Sequence, residues 1–487
     1  MGPECVKDAN AQEDCESHRM GGSQLVSRRE FLKTVGIVGA TVGVGAGLGG
    51  LVAACGGTTT TTTAVTTATT TGAETTATTV AGSSTTAGPQ AGRPIKVGFV
   101  SPTTGALASF AIPDKYCVQR WTESVGDGIV CADGQKHPVS FMVADSQSDS
   151  NRAAQVAGGL ISGGIDIMLA ATTGDTVPPV AAQCEANGVP CLSTDCPWET
   201  YWKGMNGDPN VGLKWSYHAF WGVTESAPMY FSAWSAVSTN KVVAALWPND
   251  SDGNAYRKSW PILLPKQGYK VVDGGSFQDG TEDYTSMVAK FKTEGAEICS
   301  GVMNAADFTN FYKQAKQQSF NPKIVSIGKA AQLPQTLTAL GGALGIGLCS
   351  SMTWSPTWPW KSSLTGETAQ QLADDFYKKM NLQWMSPLCH YMLFEMAADA
   401  LKRTKVIDDK ESIIEAVRTI KMTTMNGPID FTEPVDAKGK RPVSNVYRTA
   451  FAVGQWVKGT KYPFDFKICA NDGWPDIPLE AKLQPVS

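Results

Sequence analysis

Ile95-Lys96-Val97-Gly98-Phe99-Val100 followed by Ser101-Pro102-Thr103-Thr104-Gly105 decides the fold: a short β-rich run stopped by turn residues. A helix-like stretch, 111–125, comes next, and a strand over 139–144 then ends at Asp145. The alternation continues with a helix at 151–161 and a strand at 165–170 that ends in Ala171-Thr172-Thr173-Gly174-Asp175-Thr176. A helix at 177–186 carries Pro178 and Pro179 in its first turn, where proline is tolerated, and a strand at 189–192 ends in Ser193-Thr194-Asp195. Strands that alternate with helices build a parallel sheet covered on both faces.

A second series starts at Lys241, with strands at 241–247, 269–274, 297–303 and 323–327 and helices at 254–264, 284–292 and 307–318 between them. Amphipathic helices at 368–379 and 388–403 and a strand-like return at 447–457 are expected to cross back. The expected fold is α/β: two doubly wound parallel-sheet lobes joined by a multi-strand hinge. Lobe 1 takes 93–220 with a return segment at about 345–405, and lobe 2 takes 221–344 with a return at about 406–487. Nearly 395 residues exceed one ordinary core and suit two. Ligands of such sheets sit beyond the carboxyl ends of the strands, so two lobes place those ends across a cleft.

The amino-terminal part reads as an address. Ser27-Arg28-Arg29-Glu30-Phe31-Leu32-Lys33 precedes 21 uncharged residues, 34–54, which close on Leu51-Val52-Ala53-Ala54-Cys55. A twin arginine before an apolar stretch is a bacterial export signal. The last five residues resemble the lipobox of bacterial lipoproteins, which implies cleavage before Cys55 and a lipid on its thiol. Residues 1–54 are then a signal peptide, and the working protein begins at Cys55, in the periplasm or at the outer face of the cytoplasmic membrane. The rival reading is a transmembrane helix, since 21 residues at about 1.5 Å each span a core of roughly 30 Å. Seven of them are glycine, which weakens a helix. Met20 is a second sensible start, and no role is attached to Cys5, Cys15 or His18.

Residues 55–92 read as a tether. From 58 to 90 there are 17 Thr in 33 residues, a single charge at Glu74 and no aromatic ring. Such a stretch cannot bury enough apolar surface to offset its ordering entropy. As a flexible coil it reaches about 30 Å, and fully stretched about 110 Å.

The net charge of −4 comes with no basic patch in the folded part, which argues against a nucleic-acid partner. No later stretch has 18 uninterrupted apolar residues, so no second span is expected. Nine cysteines follow Cys55, an odd number that leaves at least one unpaired. Cys184 with Cys191, Cys191 with Cys196, or Cys117 with Cys131 are the candidate disulfides, and spacing does not choose among them. There is no CxxC pair, and His137, His218 and His390 stand isolated, so no metal and no cofactor is expected. No Gly-x-Ser-x-Gly elbow and no legible Ser-His-Asp set supports an exported hydrolase.

Four segments, in order, resemble the type I periplasmic solute-binding proteins of the leucine/isoleucine/valine- and amide-binding branch. They are the opening strand and loop from Ile95 through Gly105-Ala106-Leu107-Ala108, then Ala144-Asp145-Ser146-Gln147-Ser148-Asp149, Glu185-Ala186-Asn187-Gly188-Val189-Pro190 and Asn426-Gly427-Pro428-Ile429-Asp430-Phe431. The resemblance implies a monomeric receptor outside the cytoplasm, not an enzyme, that closes its lobes on a small solute and hands it to a membrane ABC permease. A ligand-sensing receptor of the same fold is the alternative.

The resemblance also implies where the solute sits. In lobe 1 it points to the loops 172–176 and 193–198, hence to Thr173, Gly174, Thr176, Ser193, Thr194 and Trp198, with Thr104 and Gly105 at the rim. Hydroxyls and free N–H groups where a helix starts near Asp175 would cradle a carboxylate. In lobe 2 it points to an aromatic residue and an acid for a ligand ammonium, matching Asp250, Asp252, Asn304 and Asp307. This chain departs there, with Asp252-Gly253 where relatives often carry Tyr-Gly. Trp354, with Trp358 and Trp360, either walls the cleft with flat surface or packs the lobe junction; Trp198 and Trp221 lie near strand ends and share that question. The plain readings are a helix N-cap for Asp307 and turn chemistry for Ser193 and Thr194.

Overall fold

The computed structural model describes residues 88–486; the twin-arginine segment, the lipobox with Cys55 and the tether up to residue 87 lie outside them. Two sheets carry the described chain. The first has six strands, all parallel, in the order Val446–Tyr447, Ser216–Ala219, Cys191–Thr194, Ile167–Ala171, Ile95–Ser101, Val139–Asp145. The second has seven, in the order Lys270–Asp273, Val242–Leu246, Ile298–Met303, Ile324–Lys329, Cys349–Met352, Ala452–Lys458, Phe464–Ala470. Its first five are mutually parallel and its last two antiparallel.

The inner strands are buried from end to end, as in Ile167–Ala171 and Ile298–Met303, because helices cover both faces of a parallel sheet. The helices start where side chains can satisfy their free N–H groups. Asp149 accepts from Arg152 N, Asp250 from Gly253 N, and Thr368 forms a capping box with Gln371. Among the described residues no helix is long and apolar enough to cross a membrane.

The carboxyl-terminal part divides differently from the expected return segments. Cys349–Met352, inside 345–405, is a strand of the second sheet. The helix Tyr391–Arg403 does serve the first sheet: Phe394 meets Phe99 edge-on at 5.5 Å and Phe141 at 5.5 Å. Beyond 406, Lys410 pairs with Asp166 at 3.1 Å and Val446–Tyr447 adds to Ser216–Ala219, so these also belong beside the first sheet. The expected return at 447–457 is two strands of different sheets, split after Tyr447 and resumed at Ala452. Alternating apolar residues predict a strand without naming its neighbours. The chain therefore crosses between sheets three times, at 220–222, between 353 and 390, and at 448–451.

The nine cysteines of the described residues are free thiols, eight of them buried. Cys184 and Cys191, one candidate pair, are both buried and unbridged.

Candidate functional site

Strand ends of the two sheets meet around a small cavity of about 40 Å³. Four backbones there are forced into the left-handed region, Thr172 at φ 84°, Thr173 at 66°, Asp195 at 55° and Lys329 at 58°, each at or just past a strand's carboxyl end. A β-branched residue at positive φ is costly, and such conformations persist only where the surroundings impose them. Thr173, Asp195 and Lys329 all line the cavity.

The walls are aromatic: Phe110, Phe220, Trp221 and Tyr256. Trp221 also holds the crossings together. It stacks on Phe451 of the third at 5.1 Å, donates its indole N–H to Thr353 of the second at 3.1 Å, and is itself part of the first.

Two buried charge clusters sit at the cavity wall. Lys329 Nζ contacts Asp250 at 2.6 Å and Asp252 at 3.0 Å. Burial opposes its charge, yet Asp250 and Asp252 prevail and push its pKa up. Burial, reinforced by Asp250 and Asp175, pushes the Asp252 carboxyl up to about 6 despite the neighbouring ammonium. In the other cluster His390 sits between Asp114 at 2.6 Å and Asp195 at 2.9 Å, one carboxylate on each ring nitrogen. A neutral imidazole has only one N–H, so this geometry belongs to the imidazolium. Burial disfavours that form, but the two carboxylates outweigh it and raise the pKa to about 10. Both nitrogens are committed, so the group of Asp195, Cys389 and His390, though close enough for a metal, has no free imidazole to offer one.

Three cavity-lining residues each hold a buried polar atom with no hydrogen-bond partner among the described residues: Thr173 Oγ1, Asp252 Oδ1 and Ser351 Oγ. Gln332 completes the polar lining and donates to the Ser351 carbonyl at 2.9 Å.

Of the residues singled out from sequence, Thr173, Asp252 and Trp221 line this cavity, and Asp250 backs it through Lys329. The others lie elsewhere. Ser193 Oγ bonds His218 Nδ1 at 2.8 Å and Thr194 Oγ1 donates to the Ala219 carbonyl at 2.7 Å, which stitches neighbouring strands. Burial holds His218 neutral, with a pKa near 3. Thr176 donates back into its own loop, to Thr172 O. Thr104 is exposed and donates to Asp145 at 2.6 Å, next to Gly105. Trp198 donates to Glu225 at 3.0 Å, behind Trp221. Asn304, not Asp307, is the cap residue of its helix, and its amide atoms are buried without partners. Asp307 accepts from Gly280 N at 3.0 Å and pins a loop. Trp354 is fully buried against Trp384, and Trp358 against Trp360, which is the junction-packing arrangement. Sequence reasoning missed Lys329, whose one visible signal is a lysine closing an otherwise uncharged strand, and it passed over Phe110, Phe220 and Tyr256.

At the lips, Asp175 accepts from Ser251 N at 3.3 Å, an acid from the first sheet's loop set on the amino end of a second-sheet helix. Gly174 lies in the same contact, where a Cβ would run into Thr200 Cγ2 and lie 2.6 Å from Ser251 Oγ. Gly174→Ala is expected to strain this contact by about 1–3 kcal/mol. Urea denaturation reads the loss; a variant as stable as wild type would show that the contact gives way without cost.

Residues 94–459 match a family model described as periplasmic binding protein. A leucine binding protein from Thermotoga maritima is similar in structure with a TM-score of 0.63 at 16% identity, over 78% of this chain and 99% of that one. A branched-chain amino acid transporter substrate binding protein from Streptococcus pneumoniae, in complex with isoleucine, gives 0.61 at 16%, over 77% and 99%. A solute binding protein of an ABC transporter from Rhodopseudomonas palustris, in complex with 3,4-dihydroxybenzoic acid, gives 0.62 at 16%, over 78% and 99%.

Proposed function

We propose, from the premise that this chain belongs to the periplasmic binding protein family, that it is the substrate-binding component of an ABC importer. It works outside the cytoplasm, anchored by a lipid on Cys55, and grips a small polar solute between two lobes built on its two sheets. The closed form is what the permease receives. The solute class is read as an amino acid, an amide or a related compound whose body lies against the aromatic walls.

The observation that carries this reading is the set of buried, partnerless atoms, Thr173 Oγ1, Asp252 Oδ1 and Ser351 Oγ, on residues that line one cavity from both sheets. A buried polar atom without a partner costs about 1–3 kcal/mol. A solute that supplies partners from between the sheets removes that cost only when they are closed, which is the differential contact that drives closure.

A thermal-shift screen of amino acids, amides, urea, polyamines and aromatic acids tests it. A binder at a hundredfold its dissociation constant adds about 2.7 kcal/mol of stability. Thr173→Val keeps the shape and removes the hydroxyl, so affinity for the best hit is expected to fall about tenfold, near 1.4 kcal/mol. Ser193→Ala, whose hydroxyl is already engaged by His218, should leave it alone. Equal affinity in wild type and Thr173→Val would place the solute elsewhere.

A further inference from the structure

We propose that the chain carries a second ligand site, outside the central cavity, for an organic acid: a monocarboxylate whose charge is set against Lys440 and the Thr449 hydroxyl and whose apolar body lies along Met229 and Phe451. The site goes beyond the importer reading and neither needs nor excludes it.

Its place is a groove of about 370 Å³ beside two of the three crossings. Arg448, Thr449 and Phe451 come from the third crossing, and Met229 from the helix Val223–Trp234 that follows the first. Lys438 and Lys440 come from the loop that leads into the third crossing, and Trp474 from the segment after the last strand. The groove shares no lining residue with the central cavity. Phe451 of the groove stacks at 5.1 Å on Trp221 of the cavity, so two rings join the one lining to the other.

The charges of the groove are incompletely matched. Arg448 is paired with Glu225, donates to the Ala437 carbonyl at 3.1 Å and holds its guanidinium over the Trp198 ring. Lys440 has no such acid. Its ammonium lies 3.1 Å from the centre of the Trp474 ring and donates to the Gly473 carbonyl at 3.1 Å, and no carboxylate among the described residues pairs with it. Burial brings its pKa down to about 8, a loss that Glu225 and Glu433 offset only in part, so at neutral pH it is a half-buried and mostly charged ammonium. The lining holds three cations, Lys438, Lys440 and Arg448, against two carboxylates, Glu225 and the exposed Asp472, which leaves one positive charge in excess. A monoanion balances that excess and a dianion overshoots it. Thr449 adds a donor: the residue is 1% exposed, and its Oγ1 has no partner among the described residues. A hydroxyl given to a carboxylate oxygen makes a stronger bond than one given to a neutral acceptor. The Pro228, Met229 and Phe451 side chains offer no donor, so they suit the apolar body of an acid and not the full shell of oxygens of inorganic phosphate.

Calorimetry on the purified protein tests this with benzoate, its neutral isostere benzamide, and inorganic phosphate. Benzoate is expected to bind at least tenfold more tightly than either of the others. Lys440→Gln should weaken benzoate tenfold or more. Thr449→Val, which keeps the shape and removes the hydroxyl, should weaken it several-fold, and Thr173→Val in the central cavity should change nothing. Should Lys440→Gln fail to fold, Lys440→Arg keeps the charge and is expected to retain binding, while Thr449→Val still loses it. Benzoate that binds yet is indifferent to Lys440→Gln and to Thr449→Val overturns the proposal. So does benzoate whose affinity falls in Thr173→Val, since it then sits in the central cavity. Benzamide or phosphate bound as tightly as benzoate overturns the class of ligand. No binding of benzoate at millimolar concentration overturns the site itself, and leaves the importer reading, which is tested at Thr173, as it stands.

Discussion

Replacing His390 by leucine is expected to destabilise the fold by about 3–5 kcal/mol, because it leaves buried Asp114 and half-buried Asp195 side by side with no cation between them. Leucine fills much the same volume, so the loss is electrostatic. Adding Asp114→Asn to His390→Leu should recover part of it. The linkage has a definite sign. His390 has a folded-state pKa of about 10 against an ordinary value of 6.5, so its stabilisation is complete below pH 6.5 and fades as pH rises through 10. Over that window the histidine contributes a fall of up to about 1.4 kcal/mol per pH unit, which His390→Leu abolishes. Urea denaturation at pH 6, 8 and 10 measures both effects. Equal midpoints for wild type and variant at pH 6 would mean that the imidazolium does not bridge the two acids.

Trp221→Ala is expected to cost a similar amount, about 3–5 kcal/mol, and to reduce solute affinity more than tenfold. The ring is buried, stacks on Phe451 and on Phe220, and bonds Thr353. Its removal opens the junction of all three crossings and takes away one wall of the cavity. Trp221→Phe separates these roles: it keeps an aromatic wall, orphans Thr353 Oγ1, and should cost about 1 kcal/mol with most of the affinity retained. Guanidinium unfolding followed by circular dichroism, together with calorimetry on the best solute, reads both variants. An alanine variant as stable as wild type would show that the crossings do not depend on this residue.

The alternation of short apolar runs with amphipathic stretches announced the parallel strands of both sheets, because a βαβ unit writes its geometry into residues close together in the chain, but not the two antiparallel pairings at the edge of the second. The loop 172–176, and Thr173 with it, came from the family resemblance and not from that pattern. Direction along a strand end was not readable. Ser193 and Thr194 sit in the right loop, but His218 and Ala219 of the next strand claim their hydroxyls. Trp354, Trp358 and Trp360 could equally have walled the cleft or packed its junction, since a flat apolar ring serves both.

What the sequence by itself determined is the fold class and the strand-end loops that meet at the cavity. What only the tertiary structure decided is the electrostatics of the site. Lys329 meets an aspartate 79 residues earlier, and His390 meets carboxylates 195 and 276 residues away. A buried charge takes its meaning from its partners, and sequence distance says nothing of which partners the sheets will bring to it.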